Sequence, residues 1–599
     1  MRILGLQDSI DSAAAVIENG RVIAAISEER IVRRKLAYGF PRSAIRAVLK
    51  TAKLAPEDID CVAVAGRNNY LVNEVVPFNG WFETRPGLFR YLFLALASKA
   101  SPLAAKLNFL EKSYYAVRSP IFAYRRWKIQ DILRRELGFS GRVTFIDHHF
   151  AHACSAYYSA GYEDATVVTL DGGGDGLCSQ VYDVRRGEFN KLQEVTSLNS
   201  IGNFYSYITH ITGFKTHRHE GKITGLAAYG EPRYLDILRS MITLTDGDIV
   251  NTSKLFGSSA VNRIRSLLPR DFNKADLAAS IQRHLEDVAV HYVKCWMNRT
   301  GIDNLALAGG VFANVKLNQR LNELEGVGRV YIHPAMGDDG IAVGAALALY
   351  HRLRPLRNEK VSIGRCFEHV YLGPEFSSGE IHAELKTCGV PYRFHEDIDT
   401  KIAELLSEGR VVARFNGRME YGPRALGNRS ILYQATDRSV NGWLNQRLKR
   451  TEFMPFAPST LAEYASRCYL GINGASDAAR FMTITFDCTD WMKACCPAVV
   501  HVDGTARPQF VHKEDNPSFY KIIEEYRRRT GLPSVINTSF NIHEEPIVCT
   551  PADAVRAFTI GHLDYLAIGN FLVENPKTVR ASEWHAQRSP SSTSPSASA

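Results

Sequence analysis

The sequence lacks the features that would assign the chain to several broad classes of protein. Its eleven cysteines are odd in number, scattered and without a Cys-x-x-Cys pair, which argues against a disulfide scaffold or a structural zinc site. The longest uncharged apolar stretch, at about 91–98, is far shorter than the roughly 20 residues that span a bilayer. No secretory signal is visible at the start. We therefore expect a cytoplasmic protein with reduced thiols.

A large charge imbalance is absent too. The chain has 599 residues, with 72 Lys plus Arg, 63 Asp plus Glu and a formal net charge of +9. Almost all of this excess lies between Arg90 and Arg135, where ten basic and two acidic residues give a local charge of +8. The remainder is nearly neutral, and 45% hydrophobic residues over this length predict at least two domains with substantial cores.

A strand, a polar turn and a hairpin occur twice in the first half of the chain. The first copy covers 2–27, with Asn19-Gly20 as the hairpin turn. The second covers 165–195, with the turn 171–176 and a hairpin at Arg186-Gly187. Two mixed-sheet lobes that open in this way are typical of the actin-like ATPase (ASKHA) superfamily, where the two turns face each other around a phosphate. The pattern predicts an α/β fold with duplicated lobes.

Composition shifts along the chain predict its domains. We place the first domain at 1–355, with the basic insertion at about 70–140, and a Pro- and Gly-containing linker at 356–372. A second α/β domain is expected at 373–575. The segment 576–599 ends in a stretch rich in serine and proline, which predicts a disordered tail.

Two histidines and two aspartates form a candidate metal site. His148 and His152 are four residues apart on a predicted helix that begins after Asp147, so both imidazoles share one face. Asp171 and Asp338 lie in acidic turns at strand ends. Such a set suits iron, manganese or zinc. The spacing alone leaves open that the histidines are ordinary buried or surface residues.

Glycine-rich turns and arginine-bearing loops predict anion binding. Backbone N–H groups of glycines approach a phosphate closely, and rigidly held guanidinium groups bind phosphate or carboxylate bidentately. The first-domain candidates are Gly172, Gly173, Gly309, Gly310 and Asn314. The second-domain candidates are Arg424, Arg429, Lys449, Arg507, Asn537 and Ser539. For each one taken alone, a tight turn or a structural arginine is an open alternative.

These motifs together resemble a known family. The chain is similar over about 1–575 to the O-carbamoyltransferases that modify antibiotics and nodulation factors. The resemblance rests on ordered motifs, among them DHHFAHACSAYY, LDGGGDG, EGKITGLAAYG, AGGVFANVKLN, GDDG, GRMEYGPRALGNRS, FMPFAPS, DGTARPQ and INTSFN. It implies a first domain like the threonylcarbamoyl-transferase module and a YrdC-like second domain.

The resemblance also implies an activity. The second domain would form carbamoyl-adenylate from carbamoyl phosphate and ATP, with Mg²⁺ accompanying ATP. The first domain would transfer the carbamoyl group to a hydroxyl of a small-molecule or glycan acceptor. The metal set above would bind iron(II), with manganese or zinc as alternatives, and hold the adenylate phosphate. Arg424, Arg507 and Ser539 would hold carbamoyl phosphate and nucleotide, with Lys449 nearby.

Two departures from the family pattern affect the expected mechanism. Many relatives have a histidine in the first turn where this chain has Ile10, so another general base is needed. The catalytic candidates are His219, Asp11 and Lys222, with His219 first for its reference pKa and Asp11 as its rival. Relatives also commonly have an arginine where this chain has Met454.

Other interpretations remain open at this point. One is a non-catalytic actin-fold nucleotide-binding protein that docks through its basic stretch, and another is threonylcarbamoyl transfer to tRNA. The joined second domain favours a small-molecule or glycan acceptor, so nucleic acid is not the expected partner. The basic stretch at 88–135 is predicted either to rest on anionic lipid or to form a helical cap with a solvated basic face.

Overall fold

The computed structural model describes residues 1–78, 80, 108–354, 364–449 and 453–575, and only the backbone of 108–116. Three sequence-based expectations fall wholly or partly outside these residues. They are the disordered tail at 576–599, the linker portion 356–363 and the part of the basic stretch that precedes residue 108.

Two sheets of matching topology form the first domain. The strands of the first are β1 (Arg2–Gln7), β2 (Ala13–Glu18), β3 (Arg21–Ser27), β5 (Cys61–Ala65) and β7 (Arg142–Ile146), with a separate small pair β4 (Ala37–Tyr38) and β6 (Val76–Pro77). Those of the second are β8 (Asp164–Gly174), β9 (Leu177–Arg185), β10 (Glu188–Thr196), β13 (Asn304–Ala308) and β14 (Arg329–Ile332), with the pair β11 (Thr243–Thr245) and β12 (Asp248–Val250) nearby.

The strand orders are β3-β2-β1-β5-β7 and β10-β9-β8-β13-β14. In both sheets the first three strands are antiparallel and the last three are parallel. Asn19 and Gly20 form the first hairpin turn with φ of 51° and 82°, as an Asn-Gly turn requires. The duplicated actin-like architecture is therefore confirmed.

Helices cover both sheets of the first domain. They are α1 (Glu28–Val32), α2 (Arg42–Ala52), α3 (Asn108–Leu137), α4 (His148–Ala160), α5 (Ile201–Ile211), α6 (Glu220–Ala227), α7 (Leu235–Arg239), α8 (Gly257–Leu267), α9 (Lys274–Thr300), α10 (Val315–Asn322) and α11 (Ile341–Leu353). Helix α11 packs against α4 and β1. The packing is tight, since a Cβ on Gly344 would lie 1.9 Å from the carbonyl oxygen of Ala151.

One arginine of the basic stretch is fully buried. Arg125, on α3, is fully buried and forms a bidentate ion pair with Asp8, with its Nε 2.9 Å from Asp8 Oδ2. It also donates to the carbonyl oxygens of Gly66 and Ala65 at 3.0 and 3.3 Å. Arg125 therefore does not belong to the solvated basic face of the predicted helical cap, and a carboxylate and two carbonyls offset the desolvation of its guanidinium.

The second domain is an α/β domain built on a mixed sheet of eight strands. Its strands are β15 (Tyr392–Phe394), β16 (Val412–Phe415), β17 (Arg429–Gln434), β18 (Ala457–Leu461), β21 (Gln509–Val511), β22 (Ser534–Ser539), β23 (Tyr565–Ile568) and β24 (Phe571–Glu574), with the small pair β19 (Phe486–Asp487) and β20 (Thr505–Ala506). Their order is β15-β24-β23-β16-β17-β22-β18-β21. Its helices are α12 (Ser378–Thr387), α13 (Ile398–Ser407), α14 (Val440–Arg447), α15 (Ala465–Cys468), α16 (Ser476–Ala479), α17 (Asp490–Cys495), α18 (Pro517–Thr530) and α19 (Pro551–Ile560). The predicted class, an actin-like first domain with a YrdC-like α/β second domain, is confirmed.

The two domains share an extensive interface. Residues 366–372 of the predicted linker run along the first sheet, where the N–H groups of Val22 and Ala25 donate to carbonyl oxygens of Cys366 and Leu372. Arg30 of α1 donates to the carbonyl oxygen of Gly422 at 3.0 Å. These contacts place a loop of the second domain beside the cleft of the first.

Candidate metal centre and interdomain cavity

Four side chains converge between the two lobes of the first domain. The ligand atoms of His148, His152, Asp171 and Asp338 all lie within 4.8 Å of one another. His148 Nε2 is 3.2 Å from Asp171 Oδ2 and 3.6 Å from Asp338 Oδ1. His152 Nε2 is 3.5 Å from each of the same two oxygens. The structure thus brings together the four residues that the sequence nominated.

These separations fit a bound metal ion. Ligands about 2.1 Å from a tetrahedral metal lie about 3.4 Å from one another, which is close to the four distances above. His152 is completely buried, yet neither of its ring nitrogens has a hydrogen-bond partner. A buried, unsatisfied imidazole is costly unless something else satisfies it, and a metal at the centre of the cluster would do so.

The local sequence explains how the cluster is held. Asp147 caps α4, accepting from the N–H of Phe150 at 3.0 Å, so His148 and His152 leave the first turns on one face. Asp171 ends the regular pairing of β8, and Asp338 opens a tight turn before α11. His149 faces away, with its ring nitrogens 2.9 Å from Thr169 Oγ1 and from the carbonyl oxygen of Leu177.

The charged groups in the cluster shift one another's pKa values. Burial disfavours protonation of His148, but the carboxylates of Asp338 and Asp171 outweigh it and raise its pKa to about 9. Burial alone would raise the pKa of Asp171, yet His148 and His152 hold it well below its usual range. Two carboxylates and two imidazoles in so small a volume are a donor set that suits a divalent cation.

Glycines surround Asp171 on two sides. The N–H of Gly172 donates to Asp171 Oδ1 at 2.7 Å, and Gly173 follows it in the turn. A Cβ on Gly310 would lie 3.0 Å from the same oxygen, and one on Gly309, whose φ is 109°, would lie 2.1 Å from the carbonyl oxygen of Leu170. The structure therefore brings these glycines together beside Asp171, and their predicted role in binding an anion stays a prediction. Asn314 caps α10 and donates to Gln282 Oε1 at 2.8 Å.

A cavity of about 370 Å³ lies between the two domains. The first domain contributes three cationic side chains, and the second contributes two. Those from the first domain are Lys35, Arg218 and Lys222, and those from the second are Arg424 and Arg507. Among the described residues that line it, Glu544 is the acidic one, and it accepts from Arg218 at 2.9 Å. Thr538 and Ser539 add hydroxyl groups.

Three second-domain candidates take different positions. Asn537 lines the cavity, with its amide donating to Ser459 Oγ at 3.0 Å. Arg429 is fully buried under the ring of Phe415 and donates to backbone carbonyl oxygens, among them that of Asn416 at 2.6 Å. Lys449 is exposed, and neither it nor Arg429 lines the cavity. The structure thus does not bring these two to the remaining candidates.

The two rival bases lie in different environments. Asp11 is surrounded by carboxylates, and burial followed by Asp339, Glu29 and the metal-cluster aspartates raises its pKa well above its usual range. His219 instead lines the interdomain cavity, with Nε2 3.2 Å from Glu544 Oε1. Burial and Lys222 lower the pKa of His219. The charges of the candidate metal centre therefore act on Asp11, whereas His219 lines the cavity.

Sequence reasoning missed some of the residues at these sites. Lys35, Arg218 and Glu544 line the cavity but were not nominated. Arg218 precedes a nominated histidine and could have been found from that motif. Glu544 opens the motif EEPIV, which is also part of the family resemblance, whereas local patterns carried no signal for Lys35.

Comparison with known proteins settles the family. The profile described as carbamoyltransferase N-terminus matches residues 2–347, and the one described as carbamoyltransferase C-terminus matches 403–575. The chain belongs to the carbamoyltransferase family. It is 33% identical to an uncharacterized protein of Synechocystis, over 94% of this chain and 95% of the relative. It is 32% identical to nodulation protein NolNO of Sinorhizobium fredii, over 96% of this chain and 80% of the relative.

Family membership makes the protein a transferase of carbamoyl groups, against the non-catalytic alternative. A solved structure of full-length HypF in a phosphate- and nucleotide-bound form is also similar, with 14% identity, a TM-score of 0.31 and coverage of 59% of this chain and 55% of that chain. Such low values do not bear on function. No helix among the described residues combines the length and the apolar character needed to cross a membrane.

Proposed function

We propose that the protein is an ATP-dependent O-carbamoyltransferase that works in two steps at two sites. In the first step, carbamoyl phosphate, ATP and one water would give carbamoyl-adenylate, pyrophosphate and phosphate. In the second, the carbamoyl group would pass to an acceptor hydroxyl, and AMP would leave. The observation that carries this proposal is the pairing of an anion-binding cavity with a cation-binding cluster in one carbamoyltransferase.

The interdomain cavity suits the first step. Carbamoyl phosphate and ATP both carry several negative charges, and Arg424 and Arg507 offer guanidinium groups for them. Water would first release phosphate from carbamoyl phosphate and leave carbamate, whose oxygen would attack the α-phosphorus of ATP as the bond to pyrophosphate breaks. Positioning and charge neutralisation supply most of the catalysis that such a displacement needs, and Ser539 adds a hydroxyl donor.

The cleft of the first domain suits the second step. His148, His152, Asp171 and Asp338 would hold the metal, whose contribution would be Lewis-acid neutralisation of the adenylate phosphate. The glycine backbone around Gly173 and Gly310, which has no side chain in the way, would let that phosphate approach closely. The oxygen of the acceptor hydroxyl would bond to the carbamoyl carbon as the bond from that carbon to AMP breaks. Asp11 would accept the proton that the hydroxyl loses. The influence of the metal-cluster carboxylates on its pKa favours it over His219 for this role.

The ligand set and the relatives suggest which cofactors and which acceptor the protein uses. Iron(II) is our first candidate for the metal, with manganese or zinc next, because imidazole and carboxylate suit all three. Magnesium would accompany ATP. The relationship to nodulation proteins supports a hydroxyl of a small molecule or a glycan as the acceptor.

Pyrophosphate release tests the first step without knowledge of the acceptor. We expect the wild-type protein, given carbamoyl phosphate, ATP, Mg²⁺ and iron(II), to release pyrophosphate and to accumulate carbamoyl-adenylate. Arg424→Ala should lower the rate about 100-fold by removing a charged contact to phosphate. Arg393→Ala, which removes an exposed arginine of the same domain, is the matched control. Pyrophosphate at the no-enzyme baseline would reject the proposal.

A further inference from the structure

Asp175 is an acidic residue of the glycine-rich turn that the four-residue cluster does not include. It lies between β8 and β9 with a φ of 52°, flanked by Gly174 and Gly176. Its carboxylate points away from the turn and accepts hydrogen bonds from three backbone N–H groups. The distances are 2.9 Å from Arg67 to each oxygen, 2.6 Å from Asn68 to Oδ1 and 2.9 Å from His148 to Oδ2.

These three N–H groups belong to two separate parts of the first domain, the loop after β5 and the start of α4. Arg67 and Asn68 follow β5, in the first lobe, whereas Asp175 belongs to the second. His148 is the first residue of α4 and a member of the metal cluster. A single carboxylate therefore joins the two lobes at the position where the metal-binding helix begins. A negative charge at the N-terminus of a helix is also favoured by the helix dipole.

The same turn contacts the ring of His148. A Cβ on Gly174 would lie 2.3 Å from two carbon atoms of that imidazole. The backbone of the turn thus packs directly on the ring, while the carboxylate of Asp175 holds the backbone of the same histidine. Both the main chain and the side chain of His148 are fixed by this one turn.

The loop after β5 cannot easily move to compensate for a change at Asp175. Arg125 donates to the carbonyl oxygens of Ala65 and Gly66, and Arg126 donates to that of Arg67 at 3.2 Å. Arg125 is itself held by the buried ion pair with Asp8. The loop is therefore bound by α3 on one side and by Asp175 on the other.

We propose that Asp175 is a positioning residue for the metal centre. Its carboxylate links the start of α4 to both lobes. It thereby keeps His148 Nε2 at the distances from Asp171 and Asp338 that a shared metal requires. The inference rests on the proposed metal site and deepens it. It also gives the basic insertion a role, since Arg125 and Arg126 fix the loop whose N–H groups Asp175 holds.

Metal affinity tests this role independently of activity. Asp175→Asn is the informative variant, because asparagine also tolerates a positive φ but has one acceptor oxygen where three N–H groups need two. With cobalt(II) as the probe and a chelator as competitor, we expect about 10- to 100-fold weaker binding than in the wild type, with altered visible absorption bands. Asp183→Asn, which removes a carboxylate of the same hairpin that pairs with Arg185, should bind like the wild type.

Hydrogen exchange of the metal-free protein supplies a second readout. The amides of Asn68 and His148 should exchange faster in Asp175→Asn than in Asp183→Asn. If Asp175→Asn fails to fold by circular dichroism, Asp175→Ser takes its place, since it removes the charge but keeps one small acceptor. Equal cobalt affinity in the wild type and in the folded Asp175 variant would overturn the inference alone. A wild-type protein that binds no cobalt would overturn the metal site and the inference together.

Discussion

The cleft of the first domain and the cavity between the domains are opposite in charge. The cleft gathers His148, His152 and several carboxylates, whereas the cavity gathers lysines and arginines around Glu544. The first arrangement attracts a cation, and the second attracts anions. The two proposed steps, which both handle phosphate, would therefore rely on different chemistry, with a metal at one site and guanidinium groups at the other.

The difference extends to how each site is built. All four members of the cation cluster belong to one domain, and three come from neighbouring elements within 147–171. The cavity takes residues from both domains, so it depends on the interface that Arg30 and the segment 366–372 help to hold. Changes that affect only one site should therefore separate the two steps.

His148→Ala should have the largest effect. Removing one of two imidazoles leaves two carboxylates and a single histidine, so we expect metal affinity to fall at least about 100-fold and carbamoyl transfer to be lost. Pyrophosphate release should stay near the wild-type rate. Metal content and pyrophosphate are measured on the same preparation, with His291→Ala, an exposed histidine of α9, as the control. Equal loss of both steps would refute the separation of the sites.

Asp11→Asn should have the next largest effect and distinguishes the two candidate bases. Loss of a general base typically lowers a rate about 100-fold or more, so AMP release to water or a simple alcohol should fall by that factor. Hydroxylamine, which attacks without such help, should restore part of the rate. His219→Asn should change AMP release only a few-fold, because that histidine faces the cavity. The reverse pattern would make His219 the base.

Met454→Arg should have the smallest effect and sharpens the description of the cavity. Met454 lines the cavity beside Gly225, where a Cβ would lie 2.7 Å from Met454 Cγ. An arginine here would add the charge that the family resemblance implies at this position, so we expect the KM for carbamoyl phosphate to fall about threefold to tenfold. The KM is measured by pyrophosphate release, with Met454→Leu as the control. A higher KM would show that carbamoyl phosphate binds elsewhere in the cavity.

Local patterns predicted the elements that depend on neighbouring residues. Turn and cap geometry involves a few adjacent residues, so the sequence predicted the hairpins at Asn19-Gly20 and Arg186-Gly187 and the cap at Asp147. The shared face of His148 and His152 followed from helical spacing alone. The burial of Arg125 could not be predicted from the sequence, because its partner Asp8 lies 117 positions away. A run of basic residues by itself predicts a solvated surface.

The sequence by itself determined the α/β class, the duplicated lobes, the family resemblance and the nomination of the four cluster residues, because each depends on residue types in a local or ordered pattern. Only the tertiary structure decided which candidates meet. It placed His219 but not Asp11 in the lining of the cavity, left Arg429 and Lys449 outside it, and joined Asp175 both to His148 and to the loop after β5 in the other lobe. The physical reason is that such contacts depend on how sheets and domains pack, and a loop's amide or a distant carboxylate has no signature in the sequence near the residue that it holds.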